Sequence, residues 1–63
     1  MMMVKDFEKA LVDGKMFFMR KYVAFGEWSA PKLVSAEVAS RKSRVRVKSD
    51  DGVFCPYSFE LAE

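Results

Sequence analysis

The segment Arg44-Val45-Arg46-Val47-Lys48-Ser49-Asp50-Asp51-Gly52-Val53-Phe54 carries the strongest structural signal in the chain. Valine and basic residues alternate over 44–48, which is the two-residue period of a half-buried strand. Residues 50–52 then supply the Asp and Gly chemistry of a tight turn. The segment therefore predicts a β-hairpin over 44–59 and makes antiparallel strand pairing the basis of the fold.

The register of this hairpin determines which side chains share a face of the sheet. A three-residue loop at 50–52 places Val47 opposite Cys55 on the buried face. Lys48 then lies beside Phe54 on the other face, which becomes a basic surface with one aromatic side chain. A loop of two or four residues reverses the two faces, so the sequence leaves the register open.

A helix and two more strands are predicted outside the hairpin. Residues 4–13 repeat apolar side chains at helical spacing and end in Asp-Gly, which predicts a short amphipathic helix. Residues 15–22, rich in Phe, Met and Tyr, predict a first strand, and the alternation over 32–40 predicts a second. Pro56 cannot donate a ladder hydrogen bond, so we expect the last strand to be an edge strand or to break there. The tail 58–62 fits either a strand end or one turn of helix.

The order of the segments in the second half of the chain is informative. Ala36-Glu37-Val38-Ala39-Ser40 precedes the strand 44–48, the acidic-glycine turn with Val53-Phe54, and the closing Phe59-Glu60-Leu61. Over residues 32–61 this order resembles the core hairpins of small SH3-like barrels of the Tudor and KOW type. The resemblance implies a binding module for nucleic acid or for a protein, and it implies no catalytic residue. The extra N-terminal helix departs from that pattern, and no aromatic cage for methyl-lysine can be assigned.

Length and element order together set the expected fold. A chain of 63 residues can bury enough apolar surface for only one hydrophobic core, so we expect one small domain over 1–63. The fold is expected to be α+β, with the short N-terminal helix 4–13 packed on a sheet over 15–61. That sheet is expected to be a small four-stranded antiparallel sheet or a partly open SH3-like barrel.

The composition argues against catalysis. Histidine is absent, which removes the usual general base, the commonest metal ligand and every Ser-His or Cys-His nucleophile pair. The single cysteine, Cys55, cannot form an internal disulfide, and we interpret it as a small buried apolar residue in a reducing, cytoplasmic compartment. Asp50 and Asp51 are interpreted as turn residues rather than as cation ligands. No enzyme activity, cofactor or metal is expected. No membrane partner is expected either, since no apolar run is long enough to span a bilayer.

Residues 41–48 concentrate the positive charge. They hold five basic side chains and no acid, although the net charge of the chain is only +2. One interpretation is a solvated strand face that protects a sheet edge from pairing with other chains. A second is a footprint for the phosphate backbone, in which these basic residues form a stripe along one strand and its turn, supported by aromatic side chains that stack on bases. A third is a surface for an acidic protein. The candidate residues for nucleic acid are Lys32, Arg41, Lys42, Arg44, Arg46, Lys48, Trp28 and Phe54.

Our first hypothesis is therefore a non-catalytic module that binds nucleic acid with low sequence specificity. The alternative is a small protein-binding regulator or inhibitor, of the kind that phages and bacteria encode as short reading frames, which docks an aromatic apolar face on a larger partner. Tyr22 and Phe25, close to Trp28, are interpreted as residues that close the barrel. A homodimer stays open as well, because an apolar fraction of 51% in so short a chain predicts an exposed apolar patch.

Overall fold

The computed structural model describes residues 3–62, which form two helices and six strands. Every strand pairing is antiparallel, and the sheets stay open rather than closing into a barrel. The expected α+β class with a small antiparallel sheet is confirmed. The elements are α1 (Val4–Val12), β1 (Phe17–Ala24), β2 (Glu27–Trp28), β3 (Lys32–Val34), α2 (Ala36–Ser43), β4 (Val47–Ser49), β5 (Gly52–Phe54) and β6 (Tyr57–Leu61).

Strand β1 is the centre of a four-stranded sheet and pairs with β2, β3 and β6. Met19 lies opposite both Lys32 of β3 and Phe59 of β6, so these two strands flank β1 on opposite edges. Successive side chains of a strand point to opposite faces. Phe17 and Met19 therefore mark one face of the sheet, called the inner face below, and Phe18 marks the other.

Both helices pack on the inner face, where they form the core. Phe17 is fully buried, and the ring of Phe7 from α1 lies 5.2 Å from it, between centroids. Ala10 of α1 and Ala39 of α2 complete the cluster together with Val34. Small residues at these helix positions let the helices approach the sheet closely. Phe17 is the only large side chain that is fully buried within residues 3–62, so the core is small.

The strand predicted over 32–40 is wrong beyond Val34, because a helix begins there. The Ser35 side chain accepts a hydrogen bond from the Val38 amide at 3.3 Å and caps the first turn of α2. Alternation predicted a strand here because a short segment can match both the strand and the helix period, and Ala36 and Ala39 also lie at helical spacing. The predicted sheet over 15–61 is therefore interrupted by α2.

The predicted hairpin exists, but it is shorter than expected and its register is different. Strands β4 and β5 pair Val47 with Phe54 and Ser49 with Gly52, which leaves a two-residue loop instead of three. The Ser49 hydroxyl donates to the Gly52 carbonyl at 3.1 Å and closes the turn at that pair. Gly52 has φ 124°, a value that glycine adopts more readily than other residues. This conformation occurs at the first residue of β5 rather than inside the loop. The expected break at Pro56 is confirmed, and the tail forms strand β6.

The face of the sheet opposite the helices is only partly apolar and is called the outer face below. Phe18 lies directly opposite Leu33 and opposite Glu60, while Arg20 lies opposite Ser58. The exposed fractions of Phe18 and Leu33 are 39% and 54%. Since α1 and α2 both pack on the inner face, neither helix covers these side chains.

Candidate nucleic-acid interface

The basic run 41–48 does not lie along one strand, so the predicted stripe is wrong in its geometry. Arg41 and Lys42 belong to the last turn of α2, Arg44 is its C-cap, and only Lys48 lies in a strand. Cations favour the C-terminal end of a helix because the unsatisfied carbonyl groups there carry partial negative charge. The run is therefore a basic helix end that continues into β4, and residues 41–48 are called the basic segment below.

Arg46 has a structural role at this helix end that sequence reasoning missed. Its Nη1 donates to the carbonyl oxygens of Ser43 at 2.7 Å and Val45 at 2.9 Å. The first bond satisfies an acceptor that the end of α2 leaves without a helical partner, and the second holds the chain that follows the C-cap. The guanidinium is consequently held in a fixed position while the residue stays exposed.

Lys42 connects the basic segment to the sheet. Its Nζ lies 5.3 Å from the centroid of the Tyr57 ring at the start of β6, which is cation–π distance. Its carbonyl oxygen lies 3.6 Å from the Sγ of Cys55. Cys55 itself is half-buried, and its sulfur lies equally close to the Tyr57 carbonyl oxygen. Two independent contacts therefore fix the end of α2 against the chain around Pro56.

Three aromatic rings from three strands form the aromatic cluster, defined as Tyr22, Trp28 and Phe54. Tyr22 of β1 lies at the centre, with the Trp28 ring at 5.4 Å and the Phe54 ring at 5.9 Å, both nearly perpendicular to it. Edge-to-face packing of this kind stabilises aromatic pairs beyond the area they bury. Trp28 and Phe54 keep 42% and 37% of their surface exposed, so both have surface left for a ligand.

The tyrosine at the centre of the cluster is positioned by the adjacent turn. Its hydroxyl accepts a hydrogen bond from the Gly26 amide at 2.9 Å, and the turn holds Phe25 and Gly26 at positive φ. Sequence reasoning interpreted Tyr22 and Phe25 as barrel-closing residues. Phe25 is 99% exposed, so that interpretation is wrong for it, and no barrel is present in the part of the chain that the structure describes.

A groove lies at the aromatic cluster, and no residue of the basic segment lines it. The cluster and residues Ser49, Asp51 and Cys55 line it. Cys55 also contacts the Lys42 carbonyl, so the groove lies next to the basic end of α2. One carboxylate, that of Asp51, stands at the groove and opposes phosphate there.

Three cations lie differently from the sequence prediction. Lys48 pairs with Val53 and Phe54 pairs with Val47, so Lys48 and Phe54 lie on opposite faces of the β4–β5 hairpin instead of side by side. Lys32 lies opposite Met19 on the inner face, whereas Tyr22 continues the outer-face series of β1, so the structure does not bring Lys32 to the aromatic cluster. Arg20 was not among the candidates. It lies two residues before Tyr22 in β1 and shares the outer face with it. The alternation within β1 could have revealed this position, but large apolar residues occur at both alternating sets of positions, so the sequence does not distinguish the two faces.

Comparison of the chain with protein-family models, with curated proteins and with solved structures gave no match. The resemblance to SH3-like barrels therefore stays a prediction. None of the helices in residues 3–62 has the length and hydropathy to cross a membrane. Over the same residues, no group of three or more Cys, Asp or Glu side chains is placed to hold a metal ion.

Proposed function

We propose that this protein is a non-catalytic module that binds nucleic acid through the aromatic cluster and the basic segment. The observation that carries the proposal is the shared packing of Trp28 and Phe54 on Tyr22, next to the basic end of α2. Exposed rings beside exposed cations are the combination that single-stranded nucleic acid requires, because the rings stack on bases while the cations neutralise phosphates.

The same arrangement predicts low sequence specificity. Stacking accepts every base, and contacts to phosphate carry no sequence information. The aromatic cluster has few hydrogen-bonding groups that could read a base edge: the Trp28 indole N–H and the Tyr22 hydroxyl, whose oxygen already accepts from the Gly26 amide. Affinity should therefore depend on strand length and salt more than on sequence.

The charge of the basic segment limits how steep the salt dependence can be. The segment has five cations, and each neutralised phosphate of a single strand adds about 0.7 to the slope of log K against log salt. If all five cations contact phosphate, the slope reaches about −3.5. Lys42 and Arg46 are already engaged with Tyr57 and with backbone carbonyl groups, which favours a smaller value.

The test is fluorescence anisotropy of labelled single- and double-stranded DNA and RNA at two salt concentrations. The R44E/K48E variant should lose binding, whereas K5E/K9E, with the same change in charge on α1, should retain it. Arg46 is left unchanged because its hydrogen bonds hold the end of α2. Absence of binding to every oligonucleotide at low salt, or equal losses in the two variants, would refute the proposal.

A second candidate function is docking of a protein partner, and one observation favours it. Phe18 and Leu33 are exposed side by side on the outer face, and such patches commonly mark protein contacts. This function predicts a weak salt dependence and a larger loss for an apolar variant than for R44E/K48E. We also propose a cytoplasmic location, which is supported by the unpaired thiol of Cys55.

A further inference from the structure

The outer face leaves apolar surface of the domain without cover. Phe18 and Leu33 form a directly opposed cross-strand pair there, and both helices pack on the other side of the sheet. A sheet with an apolar face normally buries it against another layer. The inner face provides only a small core, in which Phe17 is the one large side chain that is fully buried within residues 3–62. A second layer on the outer face would therefore add substantially to the buried apolar surface.

The charges around this apolar pair indicate what the second layer is. Glu60 lies directly opposite Phe18, and Arg20 lies opposite Ser58, so Arg20 and Glu60 are diagonal neighbours on the outer face. Both are exposed, and neither forms an ion pair with another residue of 3–62. A patch with an apolar centre and one unpaired charge of each sign contains its own complement, which is what a twofold interface between identical chains requires.

Other occupants fit this face less well. Glu60 would repel the phosphates of a nucleic acid, and the cations of the basic segment lie at the end of α2 rather than on this face. An unrelated protein would not require both signs of charge around the apolar pair. The self-complementary pattern therefore selects a second copy of this chain.

We propose that two copies pack outer face against outer face about a twofold axis, with Phe18 and Leu33 at the centre. Arg20 of each chain pairs with Glu60 of the other, so the twofold axis creates two identical ion pairs. The dimer has four layers, with two sheets in the middle and the helices outside. Packed sheets lie about 10 Å apart, which is the distance that interdigitating side chains of this size span. The inference does not depend on nucleic-acid binding.

The pair Arg20 and Glu60 gives a test that distinguishes a specific dimer from nonspecific association. Sedimentation equilibrium of the unaltered protein should show a monomer–dimer equilibrium. R20E and E60R should each weaken dimerisation about tenfold or more, because the twofold axis places like charges together at two sites. When R20E and E60R are mixed in equal amounts, each altered side chain meets an opposite charge on the other chain, and a heterodimer should form. The double variant R20E/E60R should dimerise about as well as the unaltered protein.

Each outcome decides the question. A monomer at every concentration, or a mixture of R20E and E60R that stays monomeric while both variants are folded by circular dichroism, would overturn the proposal. If a charge variant does not fold, F18S and F25S provide a second comparison. Phe25 is 99% exposed in the turn between β1 and β2, outside the Phe18–Leu33 pair, so F25S should dimerise normally while F18S should not. Equal dimerisation of these two variants would also overturn the proposal.

Discussion

The ring of Trp28 packs edge-on against the ring of Tyr22, with the two centroids 5.4 Å apart and the planes at 73°. The two residues are directly opposed in the β1–β2 hairpin, so backbone pairing and ring packing position the tryptophan together. A side chain that is fixed in this way loses little conformational entropy when a ligand stacks on it. This is the physical reason for assigning the main stacking contact to Trp28 rather than to the fully exposed Phe25.

Replacing Trp28 should therefore weaken nucleic-acid binding without unfolding the protein. Stacking of one base on an aromatic ring contributes about 1–3 kcal/mol, so W28A should lower affinity about tenfold or more, whereas W28F should retain most of it. Anisotropy titrations measure both. F25A is the matched control, because it removes an exposed ring from the adjacent turn, and it should bind normally. Equal losses for W28A and F25A would contradict the assigned site.

Loss of the Phe17 side chain should be the most destabilising single change in the core. The ring is fully buried on the inner face, in a cluster in which the rings of Phe7, Phe17 and Phe59 all contact one another. Truncation of a buried phenylalanine to alanine costs about 3–5 kcal/mol, which is comparable to the whole stability expected for so small a domain. We expect F17A to be largely unfolded at room temperature by circular dichroism, with F25A again unchanged. A cooperative thermal transition of F17A near that of the unaltered protein would contradict the described core.

Substitution of Ser35 tests whether residues 36–43 are helical. The side chain accepts a hydrogen bond from the Val38 amide, and removal of such a cap costs about 0.5–2 kcal/mol. S35A should therefore lower stability in urea denaturation, while S35D, which can also cap the helix, should restore it. S58A serves as a control on a strand. If residues 36–40 formed the strand that alternation predicts, S35D would not rescue stability.

The elements that the sequence could predict are those with a single consistent pattern. Apolar residues at helical spacing predicted α1, the Asp and Gly residues at 50–52 predicted a hairpin, and the missing amide of Pro56 predicted the break before β6. The segment 36–40 could not be decided, because alternation and helical spacing coincide in a few residues and the Ser35 cap resolves the ambiguity only in three dimensions. Because of this error, residues 41–44 were predicted as a turn and the start of a strand, whereas they form a helix end.

The candidate site was predictable in its residues but not in its geometry. Trp28 and Phe54 could be proposed from their residue type and their neighbourhood. Their common contact with Tyr22 depends on the β1–β2 register and on how the β4–β5 hairpin packs against β1, neither of which is encoded in a local pattern. The hairpin register likewise depends on the Ser49–Gly52 hydrogen bond, which residue spacing alone does not specify.

The contact between Lys42 and Tyr57 should be measurable as a coupling energy. The ammonium lies 5.3 Å from the ring centroid, and a cation–π contact at a partly exposed site contributes about 0.5–1 kcal/mol. K42M keeps most of the alkyl chain but removes the charge, and Y57L keeps an apolar side chain but removes the ring. In a double-mutant cycle measured by urea denaturation, the two changes together should therefore destabilise the protein less than the sum of the single changes, by about that amount.

K48M paired with Y57L is the matched control, because Lys48 lies in β4 opposite Val53, and the effects of that pair on stability should be additive. Additivity of K42M with Y57L would show that this contact does not fix the basic end of α2 to β6. The position of the basic segment would then depend on the Arg46 hydrogen bonds and on the contact of Cys55 with the Lys42 carbonyl.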